Sequence, residues 1–117
     1  MSSGDTRELI RQAVEGLQRE VPSLKQVKLV ARLELRTRGA DVPIWRVELP
    51  GPKIDRDPAG DSRIEISLAR PDFNVLAGEG SLKAWVEAYE HGRLRVSGDA
   101  AVTKLLAAVI QRQLARA

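Results

Sequence analysis

The sequence predicts an α+β domain. Amphipathic helical patterns stand at both ends of the 117-residue chain, a period-two alternation of apolar and charged residues fills its middle, and turns rich in Pro and Gly separate the two. That length, with 43% hydrophobic and 30% charged residues, suits one folded unit over 1–117 around a single core.

Asp5, with Glu8 three residues on, has the form of a capping box. Leu9, Ile10, Ala13, Val14, Leu17 and Val21 then recur at helical spacing until Pro22 breaks the pattern. From Gln26 the period falls to two, and Val27, Leu29, Ala31, Leu33 and Leu35 form the inner side of a half-buried strand. "RGADVP" predicts a turn, after which Trp45, Val47 and Leu49 return as a hairpin partner. Residues 50–62, "PGPKIDRDPAGDS", predict loop with a short edge strand at Ile54, and Ile64, Ile66 and Leu68 resume the alternation.

"RPDFNVLAGEG" predicts one or two helical turns, entered near Pro71 and stopped at Gly78. Ser81 is placed to cap a further helix whose apolar face carries Leu82, Trp85, Val86 and Tyr89, and Gly92 ends it. Leu94 and Val96 mark a last short strand that stops at Gly98, and Asp99 caps a closing helix. On that helix Val102, Leu105, Leu106, Val109, Ile110 and Leu114 cover about half the circumference. Packing on a sheet needs a stripe of only about 100°. The surplus faces another helix, a partner or a ligand, and the residues by themselves leave a sealed core and a cleft both open.

Several chemistries fall away. With no cysteine, disulfides, thiolate catalysis and Cys-based metal sites are excluded. No apolar run approaches the ~20 residues of a membrane span and no apolar leader opens the chain, so a cytoplasmic setting is expected. The net charge of +3 comes from interleaved Lys, Arg, Asp and Glu, and two Trp, one Tyr and one Phe offer little to stack on bases. Nucleic acid is therefore not an expected partner, whereas weak contact with an anionic membrane surface is compatible with this charge.

Asp55, Asp57, Gly60 and Asp61 imitate the start of a calcium loop, but Ala59 and Ile66 stand where further ligands belong, so no metal is expected. "GEGSLK" lacks the third glycine of a dinucleotide fingerprint, and "VSGDAAV" puts Asp99 where a bound phosphate would sit. His91, the single histidine, falls at a helix end with no nominated nucleophile, so neither a catalytic residue nor a cofactor is expected.

The ordered set "IEISLARPDFNVLAGEGSLKAW" and "GRLRVSGDAAVTKLLAAV" resembles the sterol-carrier-protein family, with Asp72, Phe73, Gly78, Gly92, Leu94, Val96, Gly98 and Asp99 at the matching positions. The resemblance, to sterol carrier protein two and its bacterial single-domain relatives, extends over nearly the whole chain. It implies an N-terminal helix and a mixed, roughly five-stranded sheet covered on one face by helices that enclose an apolar cavity. It also implies non-catalytic binding, or binding and transfer, of a fatty acid, acyl-CoA or sterol-like lipid; the alternative is a dimerisation or protein-docking module without ligand. The expected walls are Phe73 and Leu76 from the short helix, Trp85, Val86 and Tyr89 from the next, and Val102, Leu105, Leu106, Val109 and Ile110 from the last, with Gln113 at the mouth. Tyr89 is the expected polar handle for a headgroup.

Overall fold

The computed structural model describes residues 3–37, 44–56, 60–79 and 81–116. Helix α1 (Ser3–Glu20) is followed by a 3-10 turn over Pro22–Gln26 and by strand β1 (Leu29–Arg36). Strands β2 (Ile44–Leu49), β3 (Lys53–Asp55) and β4 (Ile64–Ala69) come next, then helices α2 (Arg70–Glu79) and α3 (Leu82–Glu90). Strand β5 (Leu94–Gly98) and helix α4 (Ala100–Arg116) complete the order.

The strands form one five-stranded sheet in the order β3-β2-β1-β4-β5. β1 is its centre, antiparallel to β2 with Leu33 opposite Trp45, and parallel to β4 with Leu33 opposite Ile66. The sheet is thus mixed, as the resemblance implies. β3 and β5 are antiparallel edges.

Alternation divides the sheet into two unlike faces. Leu29, Ala31, Leu33 and Leu35 are buried with Trp45, Val47, Ile64 and Leu68. The helices cover this side, contributing Ile10 and Ala13 from α1, Phe73, Leu76 and Ala77 from α2, Ala88 from α3 and Val102 from α4. The other face carries Arg32, Glu34, Arg46, Glu48 and Glu65 and is laced with ion pairs: Arg32–Glu65 at 3.5 Å and Arg46–Glu48 at 3.2 Å.

Polar links tie α1 down. Gln18 Nε2 donates to the Pro50 carbonyl at 2.7 Å, Arg70 Nη1 donates to Thr6 Oγ1 at 3.0 Å, and the Leu82 amide donates to the Glu20 carboxylate. A carboxylate from α1 thereby meets the positive end of α3.

Three local expectations change. α1 begins at Ser3, so Asp5 lies in the first turn instead of at the cap. α2 is longer than one or two turns, because Phe73, Leu76 and Ala77 keep one face on the core and carry the helix through Gly78 to Glu79. The α3 face is also rotated: Ala88 is buried, while Tyr89 is 56% exposed. The turn expected at "RGADVP" lies outside the described residues, as does Asp57 of the acidic loop.

The joint between β5 and α4 is tight. Gly98 has φ +130°, and a Cβ there would meet the Arg63 carbonyl oxygen at 2.6 Å and Ile64 Cα at 2.8 Å. Gly98→Ala is expected to cost about 1–3 kcal/mol through backbone strain, read as a lower denaturant midpoint in equilibrium unfolding.

Candidate functional site

The candidate site is the helical layer on the apolar side of the sheet. Its elements are held by strong local stops. Ser81 Oγ accepts from the Ala84 amide at 3.4 Å to cap α3. At the other end the Arg93 amide bonds the Ala88 carbonyl at 2.9 Å and the Gly92 amide bonds that of Tyr89 at 3.1 Å, with Gly92 at φ +76°. This double closure is a Schellman motif, and it turns the chain sharply into β5.

α4 starts from Asp99, whose Oδ1 accepts from the amides of Ala101 at 2.9 Å and Val102 at 3.2 Å. Its Oδ2 accepts from Arg63 Nη2 at 3.0 Å. The guanidinium of Arg63 first, and then the two amides, hold the Asp99 carboxyl below the usual carboxylate range. Asp99 fills the helix end itself, which accords with a cap and not with an anion site.

The apolar side chains assemble into two clusters. Phe73, Leu76 and Val102 belong to the large one on the sheet, with Trp85 and Leu106 packed against it. Val109 joins Val21 and Leu82 in a smaller one, flanked by Val86, Ile110 and Leu114. Trp85 and Val86, adjacent on α3, therefore face different clusters, and α4 runs across both. Phe73 and Trp85 meet edge to face with ring centroids 6.3 Å apart at 68°.

Tyr89 and Leu105 stand apart. Leu105 is 50% exposed beside exposed Ala101, Ala107 and Ala108, and Gln113 is half-buried. Of the expected wall residues, Phe73, Leu76, Trp85, Val102 and Leu106 lie in the cluster on the sheet, and Val86, Val109 and Ile110 lie in the one among the helices, whereas Tyr89 and Leu105 present much of their surface to water. Ala88 is the residue that the apolar pattern missed. Its spacing of three from Trp85 was visible, but a methyl group gives little hydrophobic signal beside Tyr89.

His91 is exposed, with Nδ1 2.8 Å from the Glu87 carbonyl, a contact that closes the end of α3. Asp61 of the acidic loop pairs with Arg46 Nη2 at 2.8 Å. Among the described residues, no group of three or more His, Cys, Asp or Glu gathers as a metal site, and no helix is long and apolar enough to cross a membrane. A groove reached from the opposite sheet face is lined by Arg32, Glu34, Glu65, Ile66, Ser67, Arg95 and Ser97, with its charges balanced.

Comparison with family models and with curated proteins gives no match to the sequence. Solved structures do match. Palmitated SCP2L2 from Aedes aegypti is 23% identical with a TM-score of 0.59, over 86% of this chain and 93% of that one. Sterol carrier protein 2 from Yarrowia lipolytica in its apo form is 17% identical with a TM-score of 0.57, over 95% and 94%. A UbiJ-SCP2 ubiquinone synthesis protein is 18% identical with a TM-score of 0.52, over 97% and 95%. The chain has the sterol-carrier-protein fold, as the sequence motifs implied.

Asp99 couples this layer to acid. Because its folded pKa is depressed, its stabilisation is complete above the unfolded value, about 3.9, and disappears as pH falls through the folded value. Asp99→Asn is expected to lower the melting temperature at neutral pH and to flatten its decline below about pH 4, measured by circular dichroism.

Proposed function

We propose that the protein binds a hydrophobic ligand without chemistry, holding it between the sheet and the helices α2, α3 and α4. The observation that carries this reading is the pair of apolar clusters bridged by α3 and α4, the larger on the sheet and the smaller among the helices. Likeness in fold to a palmitated protein supports a fatty-acyl chain as one candidate, beside acyl-CoA and sterol-like lipids. Phe73, Leu76, Trp85, Val86, Leu106 and Ile110 are the proposed walls, with Val102 and Val109 behind them.

Burial of a chain of roughly ten methylenes contributes about 8 kcal/mol before the costs of ordering it. Walls suffice for that; no acid, base or metal is required. The proposed setting is cytoplasmic, where such a module would take lipid from and return it to membrane surfaces by weak contact.

A second reading is favoured by the exposed Leu105 and Tyr89. Here the outer side of α4 docks a second copy or another protein, and the inner side only seals the core.

Native mass spectrometry of gently purified protein, followed by solvent extraction, is expected to find a stoichiometric lipid. An empty protein that also ignores a fluorescent fatty acid would eliminate the binding reading. Leu106→Gln should weaken lipid binding at least tenfold by placing an amide in the wall. Leu105→Arg, on the wetter side, should leave lipid binding within about twofold and instead abolish self-association in sedimentation if the second reading holds.

A further inference from the structure

The expected polar handle of the ligand layer, Tyr89, lies largely in water. Another donor is better placed. The indole Nε1 of Trp85 is buried, and it has no hydrogen-bond partner among the described residues. A buried donor left unpaired costs more than a normal hydrogen bond returns, so such groups in folded proteins generally meet an acceptor.

Trp85 belongs to the proposed wall. It is only partly buried as a residue, and its ring packs edge to face with that of Phe73. A ring packed in this way presents its N–H in one direction, which is what recognition of a single oxygen requires. Trp45 Nε1 is also unpaired, but Trp45 is 1% exposed, in the centre of the sheet core and under the Arg56 guanidinium, 5.2 Å from its ring centroid.

We infer that Trp85 Nε1 donates a hydrogen bond to a neutral oxygen, a hydroxyl or carbonyl, on an otherwise apolar ligand. This rests on the binding reading above. The acceptor is neutral because Thr6 and Gln18 are the only buried polar residues among those described, and both are engaged within the protein. No Lys, Arg or His residue among them is buried as a whole; the buried, unpaired Nε atoms of Arg32 and Arg36 belong to β1 positions that alternate with buried Leu33 and Leu35, on the charged face of the sheet, and an unpaired charge in the apolar layer is strongly disfavoured.

The test uses the full chain with three ligands of one length: 1-dodecanol, dodecane and, at pH 8, dodecanoate, each measured by displacement of a pyrene-labelled alkane, whose binding needs no polar partner. ¹H–¹⁵N spectra follow the two indole resonances, assigned with Trp45→Phe. With 1-dodecanol the Trp85 indole proton should move downfield and that of Trp45 should stay, while dodecane should move neither through a hydrogen bond. Trp85→Phe should weaken 1-dodecanol binding about fivefold and leave dodecane within about twofold, which also reports that the variant is folded.

If alcohol and alkane both bind and Trp85→Phe affects them equally, with an unmoved indole, the inference fails while lipid binding stands. A Trp85-dependent preference for dodecanoate over the alcohol overturns the neutral acceptor. Should none of the ligands displace the probe, the binding reading itself falls.

Discussion

The close approach of Gly98 to the backbone of Arg63 and Ile64 is the constraint on which the helical layer depends. Only a residue without a Cβ lets β5 finish so near the start of β4. The Asp99 amide then reaches the Arg63 carbonyl at 2.9 Å, and its carboxylate turns to the first amides of α4. Arg63 serves both ends of this joint, as carbonyl acceptor and as side-chain partner. One residue farther along, the chain is already helical, so this joint sets the direction in which α4 leaves the sheet.

That direction matters because the sheet has one apolar face. The opposite face is occupied by a ladder of Arg and Glu, in which Arg32 pairs with Glu65 and Arg46 with Glu48. Exposed pairs of this kind add little stability, but their charges exclude an apolar cover. All four helices therefore share one side, and the apolar surface of α4 is divided between the sheet core, the smaller cluster around Val109, and water. Stability resides mainly in the first, where Leu35 and Leu68 are fully enclosed.

Much of this was legible in the residues. The alternation from Leu29 to Leu35 marked the inner face of β1 directly, since burial and period coincide there. Ser81, Gly92 and Asp99 marked helix ends and Gly98 the end of β5, because each meets a local demand for a cap or a positive φ. The parallel pairing of β1 with β4 was not readable from spacing, being a contact between distant segments. Nor was the rotation of α3: Tyr89 looked like core by composition, but the helix turns Ala88 to the core and leaves Tyr89 56% exposed. Likewise the width of the apolar arc on α4 was visible, but not which part of it faced the sheet. Leu105 and Leu106 are adjacent in the chain and similar in character, and only the exit angle at Gly98 separates the wetter from the drier.

The ends of the sheet have a consequence for how copies of the chain behave together. β3 is three residues long, preceded by Pro52 and begun by exposed Lys53, while β5 carries exposed Arg95 along its run. Short, charged and proline-flanked margins are poor templates for another strand. The sheet is thereby guarded against growing by strand addition, so crowding at high concentration brings side-chain surfaces together before it brings backbones into register.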